Sequence, residues 1–328
     1  MGRGSVHVAP AFAFFVLRRL VAGVVLLAIV AATTFVLITL APGDTAEVLA
    51  GQAGADPEYL ELIRERLGLD RSLTHQIGAY LWELAHGDLG YSVVQGQPVL
   101  DAIVGRLWPS FVLAGTALTL AIALGVALGA VAAWRHGGAV DGAISVGSLL
   151  GYSLPVFWLG QLLIGLFAVR LGWLPAGGMS SADGEGGIGD ALRHLVLPAA
   201  TLSLLLVALI VRITRSAMDD ALAEDYVTVA RAKGLSERQV VVRHALRNAL
   251  RPVITIVTGY FGLLLTGAVL VETVFVWPGL GRLLYQSALA RDTPMLAGIL
   301  LLSALVVVLA NLVADVLYRA LDPRVGFE

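Results

Sequence analysis

The stretch DYVTVARAKGLSERQ, residues 225–239, and the HALRNALRP that follows at residues 244–252 lie between two long uncharged runs of the chain. Charged residues of both signs are spaced through this stretch, and a glycine stands near its centre. A charged segment between apolar spans lies in water, and helix-forming residues on both sides of a single glycine indicate a structured turn there. We therefore predict that residues 219–252, named the hairpin below, present a helical surface to a soluble partner.

The composition indicates a polytopic membrane protein. Of the 328 residues, 58% are hydrophobic and only 14% are charged, whereas an ordinary soluble domain has about 25% charged residues. The formal net charge of −2 gives no indication of nucleic-acid binding. The chain has no cysteine, which excludes disulfide frameworks, thiolate metal sites and cysteine nucleophiles.

Six uncharged runs have about the length of 20 helical residues that a bilayer requires. Helices are predicted because unpaired backbone groups cannot face lipid, and no run alternates like a barrel strand. The predicted spans are residues 20–41, 107–133, 142–169, 195–211, 252–271 and 293–314. The glycine spacings 125/129 and 147/151 either permit close helix packing or arise by chance. The predicted fold is thus all-α, with residues 1–328 as a single transmembrane domain of six helices.

The distribution of arginine sets the predicted orientation, because short cytoplasmic loops carry an excess of basic residues. With six spans, the segments that hold both termini and the hairpin fall on one side, and most arginines near span ends are there. The first loop of the opposite side, residues 42–106, holds ten acidic residues and four arginines. We therefore predict that both termini and the hairpin are cytoplasmic.

The loop at residues 42–106 is too long for a simple connector. Residues 57–67 and 73–84 each place apolar side chains on one helical face, which predicts two amphipathic helices. Such an extracytoplasmic helical insert either caps the outer ends of the spans or provides a docking surface for an extracytoplasmic partner. The two roles are compatible.

No motif for catalysis or cofactor binding is present. GEGGIG at residues 184–189 satisfies G-x-G-x-x-G, but no predicted strand precedes it, and we interpret it as a flexible linker. The chain has no phosphate-binding loop for ATP, its six histidines show no metal-ligand spacing, and no serine stands in a G-x-S-x-G turn. We predict that the chain is not an enzyme and holds no cofactor or metal.

Two acidic residues interrupt the late apolar sequence. Glu272 closes the fifth predicted span, and Asp315 lies near the inner end of the sixth, one turn after Asn311. An ionisable group near hydrocarbon faces protein or a water-filled path, because exposure to lipid is costly. Glu272 is therefore either an interfacial anchor beside Trp277 or part of a translocation path. Asp315 either pairs with Arg319 or, with Asn311, contributes to the path or its gate.

The hairpin has local signals for helix, glycine joint and helix. Residues 226–233 favour a helix, and Gly234 suits its end in the left-handed conformation. Ser236 and Gln239 have the spacing of a capping box, in which each residue hydrogen-bonds the other's backbone. A second helix is then expected to end at Pro252. A disordered loop would not need these signals.

This arrangement resembles the EAA segment of binding-protein-dependent ABC transporter permeases, the stretch that contacts the ATPase subunits. With Gly234 as the glycine of that motif, Ala230 and Leu246 also agree with the generic pattern, while residues 228–229 and Arg247 depart from it. The local sequence is similar to the dipeptide, oligopeptide and nickel branch. The resemblance implies an ATPase-coupling surface formed by Tyr226, Ala230, Arg231, Lys233, Gly234, Leu235, Ser236 and Arg238.

The resemblance extends over nearly the whole chain from about residue 15 and is closest to the B-type subunit, which has a long first outer loop. The motifs that carry it are, in order, RRL at 18–20, LAPGD at 40–44, GDLGYS at 87–92, ETVF at 272–275, WPGLG at 277–281, RDTP at 291–294 and LDPR at 321–324. It implies the type I ABC importer (MetI-like) permease fold in a bacterial inner membrane.

The resemblance also implies partners and a substrate class. The chain would pair with a similar but distinct permease, with two ATPase subunits that carry ATP and magnesium, and with an extracytoplasmic solute-binding protein. The expected substrate is a di- or oligopeptide, with nickel chelates or other small solutes as the alternative. A secondary transporter would be expected to have ionisable residues at mid-membrane, and the nearly charge-free spans disfavour it.

Overall fold

A computed structural model describes residues 8–40, 71–181 and 186–321, and most of these residues are helical. The helices are α1 (Val8–Leu40), α2 (Leu73–Ala85), α3 (Val99–Trp134), α4 (Ala139–Ser153), α5 (Val156–Leu163), α6 (Ile188–Ala223), α7 (Asp225–Ala232), α8 (Glu237–Gln239), α9 (Leu246–Gly267), α10 (Val269–Val274), α11 (Leu280–Leu289) and α12 (Thr293–Leu321). Two π-helical segments, Ile164–Arg170 and Val240–Ala245, follow α5 and α8.

The insert predicted at residues 42–106 is described from residue 71 onward. The amphipathic helix predicted at residues 73–84 is confirmed as α2, while the one predicted at residues 57–67 lies outside the described residues. Two short strands that were not predicted, β1 (Tyr91–Ser92) and β2 (Gln97–Pro98), pair antiparallel after α2. A glycine with φ of 66°, Gly96, makes the turn before β2.

Four helices of the described residues are long and apolar enough to cross a membrane. They are Leu17–Leu37 within α1, Val99–Trp134, Ile188–Ala223 and Thr293–Val313 within α12. They correspond to the first, second, fourth and sixth predicted spans. Helix α3 begins at Val99, ahead of the predicted residue 107, and Asp101 in its first turn complements the positive end of the helix dipole.

The third predicted span, residues 142–169, is wrong as a continuous helix. Helices α4 and α5, the latter with its π segment, meet at an angle of 103°. Between them stands Pro155, which lacks a backbone N–H and disfavours helical geometry in the residue before it, and Leu154 is extended, with ψ of 134°. Counted as one broken span, this pair gives five candidate spans in the described residues.

The fifth predicted span, residues 252–271, lies within α9 and α10. Helix α9 begins at Leu246 and continues through Pro252, so the predicted boundary at this proline is wrong. Ala249 and Val253, on either side of the proline, are buried at 1% and 2% exposure. Their packing keeps the helix intact where one backbone hydrogen bond is missing. The count of six spans stays a prediction.

The chain divides into two compact units, of which the first comprises Met1–Leu107 and Leu283–Glu328. In this unit α1 packs along α12, and α2 contacts α1 through the stacked rings of Phe35 and Tyr80, with centroids 5.1 Å apart. The buried Ser92 hydroxyl donates to the buried carboxylate of Asp292. This bond joins the GDLGYS and RDTP motifs.

The second unit, Trp108–Arg282, is built around α6, which packs against α4, α5 and α9. Helix α3 also lies close to it, because a Cβ atom at Gly125 would come within 2.6 Å of Ile210 and one at Gly129 within 2.7 Å of Thr214. These two glycines therefore allow close packing. The other predicted glycine pair, 147/151, makes no such approach, with open space or a contact of 4.0 Å.

Candidate functional site

The hairpin begins with a helix that ends as its sequence predicts. Helix α7 ends at Ala232, and Gly234 has φ of 80°. The Gly234 N–H donates to the carbonyl of Arg231 at 2.9 Å, and the Leu235 N–H to that of Ala230 at 3.4 Å. These two bonds form a Schellman motif, which satisfies carbonyls that the end of the helix would leave unpaired. The predicted helix–glycine–helix turn is confirmed.

The second arm of the hairpin starts with a side-chain cap. The Gln239 Oε1 atom accepts hydrogen bonds from the Ser236 backbone N–H at 3.0 Å and from its Oγ at 3.1 Å, which supplies the returning half of a capping box. Arg231 Nε donates to Glu237 Oε1 at 2.8 Å across the turn. Both of these side chains are about half exposed, so the pair contributes at most about 1 kcal/mol.

A small apolar cluster holds the two arms together. Val227 and Ala230 of α7 pack on Val240 at the start of the second arm, and all three are buried. Tyr226 and Leu235, partly buried, pack against the same cluster. The turn is thus a defined structure because burial of these side chains adds to the local hydrogen bonds.

The predicted coupling residues divide by exposure. Tyr226, Ala230 and Leu235 belong to the inner side of the hairpin, while Lys233 and Arg238 are exposed. Sequence analysis missed two apolar residues on the outer side, Val229 and Val242, which are 52% and 56% exposed. The signal for Val229 was present, because it lies about 200° from the buried Val227 on the helical wheel of α7, on the opposite face of the helix.

The second arm is continuous with α9, because α8, the π segment Val240–Ala245 and α9 follow without a break. An alanine-rich cluster fixes this arm to two other helices. Val241, Ala245 and Ala249 of the arm pack with Ala133 of α3 and with α6, which contributes Met218 and Ala221. A displacement of the hairpin would therefore be passed to three helices.

An ion pair that the sequence did not suggest lies at the same end of α6. Arg215 Nη2 donates to Asp141 Oδ2 at 2.8 Å, and the backbone N–H of Gly137 donates to the same oxygen at 3.0 Å. His136 Nδ1 lies 3.3 Å from Asp219 Oδ1, at the first residue of the hairpin. These contacts connect the turn between α3 and α4 to the part of α6 that leads into the hairpin.

Glu272 is enclosed in protein. Its exposure is 0%, and its carboxylate accepts from Ser110 Oγ at 2.7 Å and from the Arg282 N–H at 2.9 Å. The Ser110 Oγ also accepts from the Leu280 N–H at 2.8 Å. A Cβ atom at Gly279 would lie 2.2 Å from the carboxylate, so only glycine fits there. The carboxylate thus connects the WPGLG motif to the start of α11. This is the placement expected if Glu272 is an anchor.

Trp277 takes part in the same junction. Its ring is buried, with 1% exposure, and its Nε1 donates to the carbonyl of Pro109 at 2.9 Å. The other two residues predicted for the path or gate, Asn311 and Asp315, lie on α12. Asn311 is exposed, and the Asp315 side chain lies outside the described set. A path role for any of these residues stays a prediction.

Comparison with known proteins identifies the family. Residues 125–327 match the profile of the binding-protein-dependent transport system inner membrane component, and residues 12–114 match the N-terminal profile of the same transport-system membrane components. The chain belongs to this family. It is a permease subunit of an ABC importer, and in such systems ATP is hydrolysed by separate subunits. As an inner membrane component it is a multi-pass membrane protein.

Relatives match the permease over almost its entire length. The glutathione transport system permease protein GsiC of Escherichia coli is 42% identical over 315 residues, which cover 96% of this chain and 99% of that protein. A protein of Brucella abortus named for a peptide transport system is 43% identical, covering 95% and 99%.

A solved structure has the same fold. An inward-facing conformation of the MetNI methionine ABC transporter matches with a TM-score of 0.54 at 19% identity, over 68% of this chain and 97% of that chain. The permease therefore has the type I ABC importer fold that its sequence predicts.

Proposed function

We propose that this permease forms half of the translocation path of an ATP-driven importer for di- and oligopeptides delivered by a solute-binding protein. The observation that carries the substrate class is the match to relatives named for glutathione and for peptide transport, at 42% and 43% identity over nearly the full chain. Glutathione is a tripeptide, so both names describe one chemical class. Nickel chelates or other small solutes are the alternative substrate.

The proposed assembly contains a second, distinct permease, two ATPase subunits and an extracytoplasmic solute-binding protein. ATP and magnesium are held by the ATPase subunits, and this chain needs no cofactor. The arginine asymmetry of the sequence supports a cytoplasmic location for both termini and the hairpin. The solute-binding protein then docks on the opposite side, where residues 42–106 provide an acidic, partly helical insert.

In the proposed mechanism the hairpin is the coupling element. Closure of the ATPase dimer on ATP displaces the hairpin, and the displacement passes to the spans. The continuity of the second arm with α9, and its packing against α3 and α6 through Met218 and Ala221, support this role. The helices then exchange between inward-open and outward-open states, and each partner biases the state that it binds more tightly.

The substrate class is tested by uptake into proteoliposomes that contain the complete importer. We expect ATP-dependent accumulation of labelled di- and tripeptides when the solute-binding protein is present, and only background uptake of a nickel chelate. Omission of the solute-binding protein is the control, and it should reduce peptide uptake to background. Accumulation of the nickel chelate without peptide uptake would contradict the proposed substrate.

A further inference from the structure

A cavity of about 430 Å³ opens within the second unit between α4, α6 and α9. Its volume is within the range of small-molecule pockets, about 300–1,000 Å³. A cavity of this volume could accommodate a short segment of extended peptide but not a folded chain. Of the residues that the sequence predicted for the path, the described side chains of Glu272 and Asn311 do not line it.

The described walls of the cavity are mostly apolar. Among the described lining residues, three carry polar side-chain atoms: Tyr152 of α4, Arg212 of α6 and Tyr260 of α9. The remaining lining residues are leucines and one alanine, namely Leu202, Leu205, Leu206, Ala208, Leu209 and Leu264. A mostly apolar pocket with a few convergent polar groups is typical of a binding site for a small molecule.

Arg212 is the group that points to a ligand. It is exposed, and within the part of the chain that the structure describes it makes no hydrogen bond or ion pair. One turn later on the same helix, Arg215 is paired with Asp141 at 2.8 Å. An unpaired guanidinium in an apolar span is costly in lipid, so it faces water or an anion. Arg212 therefore gives this side of the cavity a positive charge that is accessible to water or to an anion.

The chemistry of the three polar groups selects the anion. A guanidinium binds a carboxylate through two parallel hydrogen bonds, and every peptide with a free C-terminus carries one carboxylate at a fixed place. Tyrosine hydroxyls can both donate to and accept from the amides of the peptide backbone. The apolar walls accept side chains without selecting among them, which suits a carrier of varied peptides.

We propose that this cavity is a transient binding subsite for the peptide in transit, in which Arg212 holds the terminal carboxylate and Tyr152 and Tyr260 bind the adjacent backbone. The proposal rests on peptide import as the proposed function. Binding at this subsite is distinct from substrate selection by the solute-binding protein, because the subsite lies within the permease itself.

The first test measures the electrostatic potential and the water accessibility of the cavity, and it does not depend on transport. Because the chain has no cysteine, Leu209→Cys introduces one thiol into this chain of the full complex. Two water-soluble thiosulfonates, one negatively and one positively charged, are used to label this thiol. We expect the ratio of the negative to the positive labelling rate to be about fivefold higher than in the Arg212→Gln background. Arg212→Lys is the matched control and should keep the preference. A thiol that reacts with a lipid-soluble maleimide but with neither water-soluble reagent would place the cavity against lipid and overturn the proposal.

The second test uses peptide as the ligand. A dipeptide with a free carboxylate, at high concentration and without the solute-binding protein, should slow labelling of Leu209→Cys several-fold, and the same dipeptide as its amide should protect much less. Arg212→Gln should remove the difference, and Tyr260→Phe, which loses only a hydroxyl, should weaken protection by both peptides. Equal protection by acid and amide would overturn the role of Arg212. If the unmodified complex imports no peptide at all, the proposed function fails instead.

Discussion

Gly234→Val is expected to uncouple the importer, with peptide uptake reduced at least about tenfold. At φ of 80° a side chain costs about 1–2 kcal/mol, and a β-branched one costs more. No atom lies within 4 Å of a Cβ atom at this position, so the effect comes from the backbone alone. The strain opposes the two Schellman bonds that set the angle between the arms. ATPase activity should then no longer respond to the loaded solute-binding protein.

Gly234→Asn is the matched control, because asparagine tolerates the left-handed conformation. It should retain most of the uptake, with Gly234→Ala between the two. Membrane insertion and assembly with the second permease should be normal in all three variants, since the hairpin lies outside the spans. Normal uptake and normal stimulation of the ATPase in Gly234→Val would show that the coupling element lies elsewhere.

Glu272→Ala is expected to destabilise the permease strongly. It removes the acceptor of the Ser110 hydroxyl and of the Arg282 N–H in a site with 0% exposure, and each buried donor left unsatisfied costs about 1–3 kcal/mol. Thermal unfolding of the purified importer should shift down by several degrees. Gly279→Ala should have a similar effect, because its Cβ would overlap the carboxylate. Leu270→Ala on the same helix, 50% exposed, is the control and should unfold near the wild-type temperature.

The same experiment separates the two roles that the sequence leaves open for Glu272. If Glu272 anchors the WPGLG motif, stability falls, and the loss of uptake follows from it. If Glu272 lines the path, Glu272→Ala should unfold at the wild-type temperature while uptake is lost. That second result would contradict the structural placement.

Proline shows where sequence reasoning succeeds and fails in this chain. The expected break at Pro252 does not occur, because Ala249 and Val253 pack on both sides of it. At Pro155, inside a predicted span, the chain bends by 103°. The residue type is the same in both cases, so proline alone does not decide whether the helix continues, and tertiary context contributes. Apolar run length alone could not distinguish the two.

The hairpin turn was predictable because its determinants are local. The left-handed glycine and the cap formed by Ser236 and Gln239 act within a few residues. The contacts that connect other parts of the chain join residues far apart in sequence. Ser92 hydrogen-bonds to Asp292, Ser110 to Glu272, and Arg215 to Asp141. Motifs such as GDLGYS and RDTP were visible in the sequence, but nothing local indicates that one binds the other. Nothing in the local sequence indicates that Arg212 lines a cavity.

The central claim, that the hairpin contacts the ATPase subunits, is tested most directly by site-specific cross-linking. Val229 and Val242 are exposed on the outer side of the hairpin, and Trp82, 69% exposed on α2, belongs to the insert that is predicted to lie on the opposite side of the membrane. The absence of cysteine allows single-cysteine variants with a photoactivatable thiol reagent in the complete importer. We predict that Val229→Cys and Val242→Cys cross-link to an ATPase subunit, with a yield that changes when ATP is added, and that Trp82→Cys does not. Cross-linking of the ATPase from Trp82→Cys, with none from the two hairpin sites, would contradict both the coupling role and the orientation of the chain.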